Sequence, residues 1–145
     1  MSERIGFALA LLAVIVAVSF VVSLWLRTHV HALLLRELRA GNFDDFDRRV
    51  NSRLTAQVLS PYARGLLVFQ GMAARGDRSG MKEQFNRLMA LKLDNSARAS
   101  LLMEGFNGFV KVGDKKRAKK ILDSMTPDLV PDARKELCRG RLQAL

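Results

Sequence analysis

Hydrophobic and polar positions divide this chain into one unbroken apolar run followed by a series of amphipathic segments. Residues 5–26, IGFALALLAVIVAVSFVVSLWL, contain neither a charge nor a proline. As a helix they rise about 33 Å, matching a hydrocarbon core of ~30 Å. Trp25 sits at the far edge of the run and Arg27 follows it, the ring and snorkelling cation expected at a membrane interface. A cleaved signal peptide is the rival reading. It needs a shorter apolar stretch and a small-x-small cleavage site, whereas the chain after Ser23 reads Leu24, Trp25, Leu26, Arg27. The run is therefore expected to remain as a single transmembrane anchor.

Beyond the anchor, three glycines stand before a polar residue: Gly41-Asn42, Gly76-Asp77 and Gly113-Asp114, spaced by 35 and 37 residues. Glycine takes the left-handed conformation that ends a helix, and Asn or Asp caps the next, so each pair predicts a helical hairpin. After the turns, apolar residues recur at helical spacing: Phe43, Phe46, Val50 and Leu54; Met81, Phe85, Leu88 and Met89; Ala118, Ile121, Leu122 and Met125. Each set is a narrow stripe that buries one face. The segments before the second and third turns, 63–75 and 97–112, are apolar on more of their circumference and are expected to have neighbours on two sides. Residues 30–40 follow the anchor with no breaker, so the span runs on into the domain's first helix. Pro61 and Pro127 mark expected helix starts, and Pro131 opens a terminal helix over 132–142. Alternating runs and Asp-Gly pairs are absent, and the single Asn-Gly pair, Asn107-Gly108, falls inside a helix-patterned segment, which argues against a strand-based core. The fold class is all-α: an anchor at 5–26 and a helical domain over 28–145.

Charge sharpens this division. Of 24 Lys and Arg only Arg4 precedes the run, and of 14 Asp and Glu only Glu3 does, so the net charge of +10 lies in the domain. A domain this basic suits acidic protein surfaces, anionic lipid or nucleic acid, or it serves only to solvate. Cations near the span favour its C-terminal side, with Arg27, Arg36 and Arg39 against Arg4 and the α-amine. The positive-inside rule then places the domain in the cytoplasm, as for a bacterial inner-membrane protein. The single cysteine, Cys138, allows no internal disulfide and no cysteine-based metal site.

Three hairpins at this period resemble tetratricopeptide repeats, whose period is ~34 residues. The third unit carries the likeness best, through Leu102, Phe106 and Phe109, the Gly113-Asp114 turn, then Ala118, Leu122 and Met125. The second matches through Phe69, Met72, Gly76-Asp77, Phe85 and Leu88, with Met81 where the family has a small residue. The first matches mainly in its turn. The resemblance covers most of residues 28–126; the family's Trp and Tyr are missing, and Gly105 and Gly108 interrupt a helix interior. Those glycines are expected to admit a close neighbour. The resemblance implies a stack of about three hairpins closed by a terminal helix, and a groove lined by the hairpins' first helices. Arg64, Gln70, Arg98 and Asn107 are the contact residues it suggests, for a helix or peptide of a protein partner.

Candidate chemistry is sparse. His29 and His31 are two apart, so on a helix they diverge and do not share a metal. Asp44, Asp45 and Asp47 open a helix, where carboxylates complement the dipole. Gly76-Asp77-Arg78-Ser79-Gly80 lacks the Gly-Lys-Ser/Thr ending of a phosphate loop. No cofactor and no enzymatic activity are expected. One cluster stands out: Lys111, Lys115, Lys116, Arg117, Lys119 and Lys120 around the third turn. Four of these oppose a helix dipole, at about 0.3–1 kcal/mol each when exposed. The leading expectation is a membrane-tethered, non-enzymatic adaptor or assembly scaffold. The alternatives are a basic domain binding membrane surface, with nucleic acid the weaker ligand for want of stacking aromatics, and an accessory subunit held through small residues of its span, Gly6, Ala10, Ala13 and Ala17.

Overall fold

The structure is a computed structural model and describes residues 2–144. The side chain of Arg4, used above to read orientation, and Leu145 at the end of the expected domain lie outside the described part. Among the described residues eight helices follow one another: α1 (Ser2–Ala40), α2 (Phe43–Val50), α3 (Arg53–Val58), α4 (Pro61–Arg75), α5 (Arg78–Met89), α6 (Asn95–Lys111), α7 (Lys115–Ser124) and α8 (Asp132–Gln143). No strand occurs among the described residues. The chain divides into two compact units, Met1–Ser60 and Pro61–Leu145.

In the first unit the apolar run continues without a break into the helix before Gly41, as its sequence predicts. The run is long and apolar enough to cross a membrane, with a mean hydropathy of 2.9 and none of it buried. An all-round apolar helix with no neighbour is not a surface helix of a soluble core. From Arg27 the same helix continues for about 21 Å at ~1.5 Å per residue. There one stripe, Val30, Leu34 and Glu37, is buried, and α1 packs on α2 and α3. Glu37, with its side chain 10% exposed, pairs with Arg49 of α2 at 2.6 Å.

The stripe after Gly41 ends sooner than expected. Asn51 bonds back to the Asp47 carbonyl at 2.9 Å, and the Ser52 hydroxyl accepts from the Thr55 N–H at 3.2 Å. Such short polar side chains compete with the helical ladder for backbone groups. The helix stops at Val50, a new one begins at Arg53, and Leu54 ends up 52% exposed.

All three glycine turns form where expected, at φ +74°, +74° and +71° for Gly41, Gly76 and Gly113. In each the residue after the glycine donates back five positions: Asn42 to Glu37 and Asp77 to Met72, both at 3.0 Å, and Asp114 to Phe109 at 2.8 Å. This is the Schellman arrangement, which satisfies the orphan carbonyls of a helix end. Asp77 and Asp114 then cap α5 and α7 by accepting from the Gly80 and Arg117 N–H groups. Asn42 makes no side-chain cap bond, so the first turn rests on its backbone alone.

Asp114 adds an ion pair with Arg117 to its cap bond. Burial works to raise its carboxyl, but the Arg117 N–H and guanidinium, aided by Arg78, outweigh it and hold the group below its ordinary 3.8. Asp114→Ala is expected to destabilise the protein by about 1–2 kcal/mol at neutral pH, as measured by urea unfolding. Because the folded-state value is depressed, the ionic part of that stability is present above the unfolded value. It fades as pH falls through the folded one. The gap between wild type and variant should therefore narrow only below about pH 4.

The second unit pairs α4 with α5 and α6 with α7, and α6 also meets α4 and α5. Helices α4 and α6 thus have neighbours on two sides, as their broad apolar faces predict. Their core holds Phe69, Met81, Leu101, Phe106, Phe109 and Met125, each at most 1% exposed. Phe69, Phe85 and Phe109 form a triangle of rings with centroids 5.8–6.1 Å apart. The two glycines of α6 make room for it. A Cβ at Gly105 would lie 2.3 Å from the Phe85 ring, and one at Gly108 would lie 2.7 Å from the Phe69 ring. Both glycines thus admit aromatic rings of neighbouring helices.

Pro61 opens α4 as expected, but Pro127 begins no helix. It lies in a turn, and α8 starts after Pro131. The Lys135 ammonium holds that connection by donating to the Met125 carbonyl at 2.7 Å. Across the unit, four long-range hydrogen bonds share nearly one sequence offset. Tyr62 Oη donates to the Ala97 carbonyl, an offset of 35. Gln70 donates to Glu104, Arg78 to the Val112 carbonyl and Arg141 to Asn107, each at an offset of 34.

Candidate functional site

The residues suggested for a groove lie on α4 and α6, and all four are half-buried. Gln70 Nε2 reaches Glu104 at 3.4 Å, and Asn107 Oδ1 accepts from Arg141 at 2.8 Å. They tie one layer of helices to the next. Arg64 and Arg98 extend the same series on α4 and α6. A hollow of about 440 Å³ lies between α6 and the segment leading into α8, lined mainly by polar groups such as Asn95, Ser96, Ser100, Glu104, Asp128 and Arg134; Arg98 is not among its lining residues. Tyr62, on the same side of α6 through its bond to Ala97, has its phenol pushed up by burial first and then by the Glu104 and Asp94 charges.

The basic cluster separates into two kinds of residue. Arg117 is engaged, its guanidinium paired with Asp114 and standing 5.9 Å from the Phe109 ring centre. Lys111, Lys115, Lys116, Lys119 and Lys120 are exposed. No carboxylate among the described residues forms an ion pair with any of the five. Lys115 and Lys116 oppose the α7 dipole in its first turn. The i,i+4 pairs Lys115–Lys119 and Lys116–Lys120 add repulsion of roughly 0.2–0.5 kcal/mol each. Replacing Lys115, Lys116, Lys119 and Lys120 with Gln should therefore leave thermal stability equal or slightly raised. Calorimetry of wild type and variant checks this, and a lowered melting point would mean that the lysines hold the fold.

A second hollow was not apparent from the sequence. It lies beside α6, flanked by α5 and α7, and has a volume of about 540 Å³. Phe85 and Met89 of α5, Leu102 and Phe109 of α6 and Ile121 of α7 give it an apolar floor. Lys82 and Asn86 stand on one rim, and Lys116, Arg117, Lys120 and Ser124 on the other. Residues 82, 85, 86 and 89 are one helical face, at i, i+3, i+4 and i+7. The sequence therefore showed the stripe but not that Phe85 and Met89 stay half-buried, since that depends on the gap between α5 and α7.

No protein-family model, no curated protein and no solved structure matches the chain.

The remaining reactive side chains are held apart. His29 stacks on Trp25, ring centres 5.1 Å apart and 11° from parallel, across the end of the apolar run of α1. Cys138 is buried in α8, its thiol pushed up by that burial against the opposing charge of Arg141, so little of it is the reactive thiolate. Among the described residues no three His, Cys, Asp or Glu side chains are close enough to hold a metal ion. What the arrangement offers chemically is surface: a polar hollow on one side of α6 and a cation-rimmed apolar one on the other.

Proposed function

We propose that this protein is a membrane-anchored adaptor: a helical-repeat domain related in plan to tetratricopeptide repeats, which holds a protein partner near the bilayer. The observation carrying this reading is the common offset, 34 or 35 residues, of four hydrogen bonds that join the α4–α5 hairpin to α6 and α6 to α8; the Gln84–Gly65 bond, at an offset of 19, lies within one hairpin. A near-constant offset is what a stack of like units produces, because each unit meets the next through the same relative positions; the Asn107–Arg141 tie stands 37 residues on from Gln70–Glu104, the spacing of Gly76 and Gly113. The offset agrees with the ~34-residue period of the repeat family. Helix α8 then occupies the place of a further first helix, and its Arg141–Asn107 bond repeats the Gln70–Glu104 tie one layer on. Such stacks present extended surfaces to partner segments.

The anchor half of the reading rests on the exposed apolar run of α1, and the cytoplasmic placement on the cations that follow it. A reporter cysteine near the C-terminus, in a Cys138→Ser background, should resist a membrane-impermeant thiol reagent in intact cells. Ready labelling would put the domain on the outer side.

Exchange of the span separates an adaptor from a subunit docked through its membrane helix. Residues 5–26 are replaced with a plain leucine helix, and the partner retained in mild detergent is compared. An adaptor keeps its partner, because residues 61–145 hold it. Loss of the partner on exchange would move the docking function into the span.

A further inference from the structure

We propose that the hollow between α5 and α7 is the partner-docking groove, and that it takes an acidic, amphipathic segment of another protein. The inference rests on the adaptor reading and names its surface and the chemistry of its occupant. The floor supplies apolar contact from Phe85 and Met89 on one helix and Ile121 on the other. Phe85 and Met89 keep part of their surface in water, where an occupant can cover it. The rim supplies Lys82, Lys116 and Lys120, exposed cations with no ion-pair partner among the described residues. Asp114 is the one carboxylate lining the hollow, and Arg117 already neutralises it. Charge complementarity therefore demands carboxylates from outside, flanking apolar side chains.

The spacing favours a protein segment over a lipid. Lys116 and Lys120 lie four residues apart, about 6 Å along α7, with Lys82 across the gap. Cations distributed along both rims suit several carboxylates on a helix or strand, whereas one lipid headgroup would gather them at a single end. The hollow also lies open along the surface between two helices, unlike the enclosing cavities that bury most of an acyl chain. Two features of the sequence thereby acquire a use: lysines that oppose the α7 dipole, and an apolar stripe on α5 that its own fold leaves partly uncovered.

Site-specific photo-crosslinking in the full-length protein, in its own membranes, tests this. Benzoylphenylalanine is placed at Asn86, on the groove rim, or at Ser100, which lines the hollow on the other side of α6. The crosslinked segment is then sequenced by mass spectrometry. From Asn86 we expect one protein segment with Asp or Glu on either side of apolar residues. Its yield should fall roughly tenfold or more when Lys82→Glu, Lys116→Glu and Lys120→Glu are combined. Reversing the partner's carboxylates to lysine should restore it, an exchange that no folding defect can mimic. The variant is expected to fold, because glutamate near the start of α7 favours the dipole; unchanged helicity by circular dichroism checks this. No crosslink from Asn86 overturns the groove, as does a crosslink to phospholipid or to a second copy of this chain. So does a segment without acidic residues, or a yield indifferent to the triple reversal. A charge-independent protein crosslink from Ser100 alone overturns the groove but leaves the adaptor standing, with its partner in the hollow between α6 and the segment leading into α8.

Discussion

Deleting residues 1–26 is expected to move the protein almost completely from the membrane pellet to the supernatant at high salt, while the full-length chain resists alkaline carbonate. The run holds 14 Leu, Ile, Val and Phe residues, each favouring the bilayer centre by about 0.3–0.6 kcal/mol, so together they contribute on the order of 4–8 kcal/mol. The five exposed lysines supply the other attraction, about 1 kcal/mol apiece at an anionic surface before screening. Salt shortens the reach of that second term and leaves the first intact. High salt therefore isolates the contribution of the span. Extraction of the full-length chain by carbonate, or truncated protein still bound at high salt, would contradict the anchor.

Phe106→Ala should produce the largest loss of stability of any single truncation considered. Its side chain is wholly buried, at 0% exposure, within the cluster that joins α4 to α8. Truncating such a ring removes its burial and leaves a cavity, together about 3–5 kcal/mol. Against a typical total of roughly 5–15 kcal/mol this is a large fraction, and in a unit this small it lowers the melting temperature by roughly 15 °C or more. Phe85→Ala provides the contrast. Its narrow stripe predicts equal burial, but the ring keeps part of its surface exposed in the α5–α7 gap, so a smaller loss of about 1–2 kcal/mol is expected. Equal large losses at both positions would mean that the gap is closed in solution.

Turn chemistry was the most legible feature of the sequence. Gly41, Gly76 and Gly113 each require a left-handed residue in a local pattern, and all three adopt it. The long apolar helix was legible for the same reason, since twenty-two residues without a charge or a proline need no tertiary context to be recognised. Local competition hid the break at Asn51 and Ser52, because the Phe46–Val50–Leu54 spacing suits one helix as well as two. At Pro127 the helix start was misplaced because Pro131 offers the same fixed φ and leads directly into α8.

Less of the candidate site could be read in advance. The lysine cluster was visible as composition, but the separation of Arg117 from the five lysines arises from the Asp114 cap and the Phe109 ring. Gln70 and Asn107 were visible as polar residues on otherwise apolar helices. Their partners, Glu104 and Arg141, lie 34 residues further on, where only the stacking of one layer on the next brings them together. The α5–α7 groove depends on what α6 leaves uncovered, which no local pattern encodes.

The most direct test of the adaptor is the size of the particle that the full-length protein forms when released from its own membranes in mild detergent. Light scattering coupled to size-exclusion chromatography, at physiological salt, separates the protein mass from that of the micelle. A protein that serves to hold a partner should elute in a stoichiometric complex with a second, different chain. Deleting residues 61–145 should dissolve that complex while residues 1–60 stay in the membrane. A particle containing only this chain, before and after the deletion, would contradict the account.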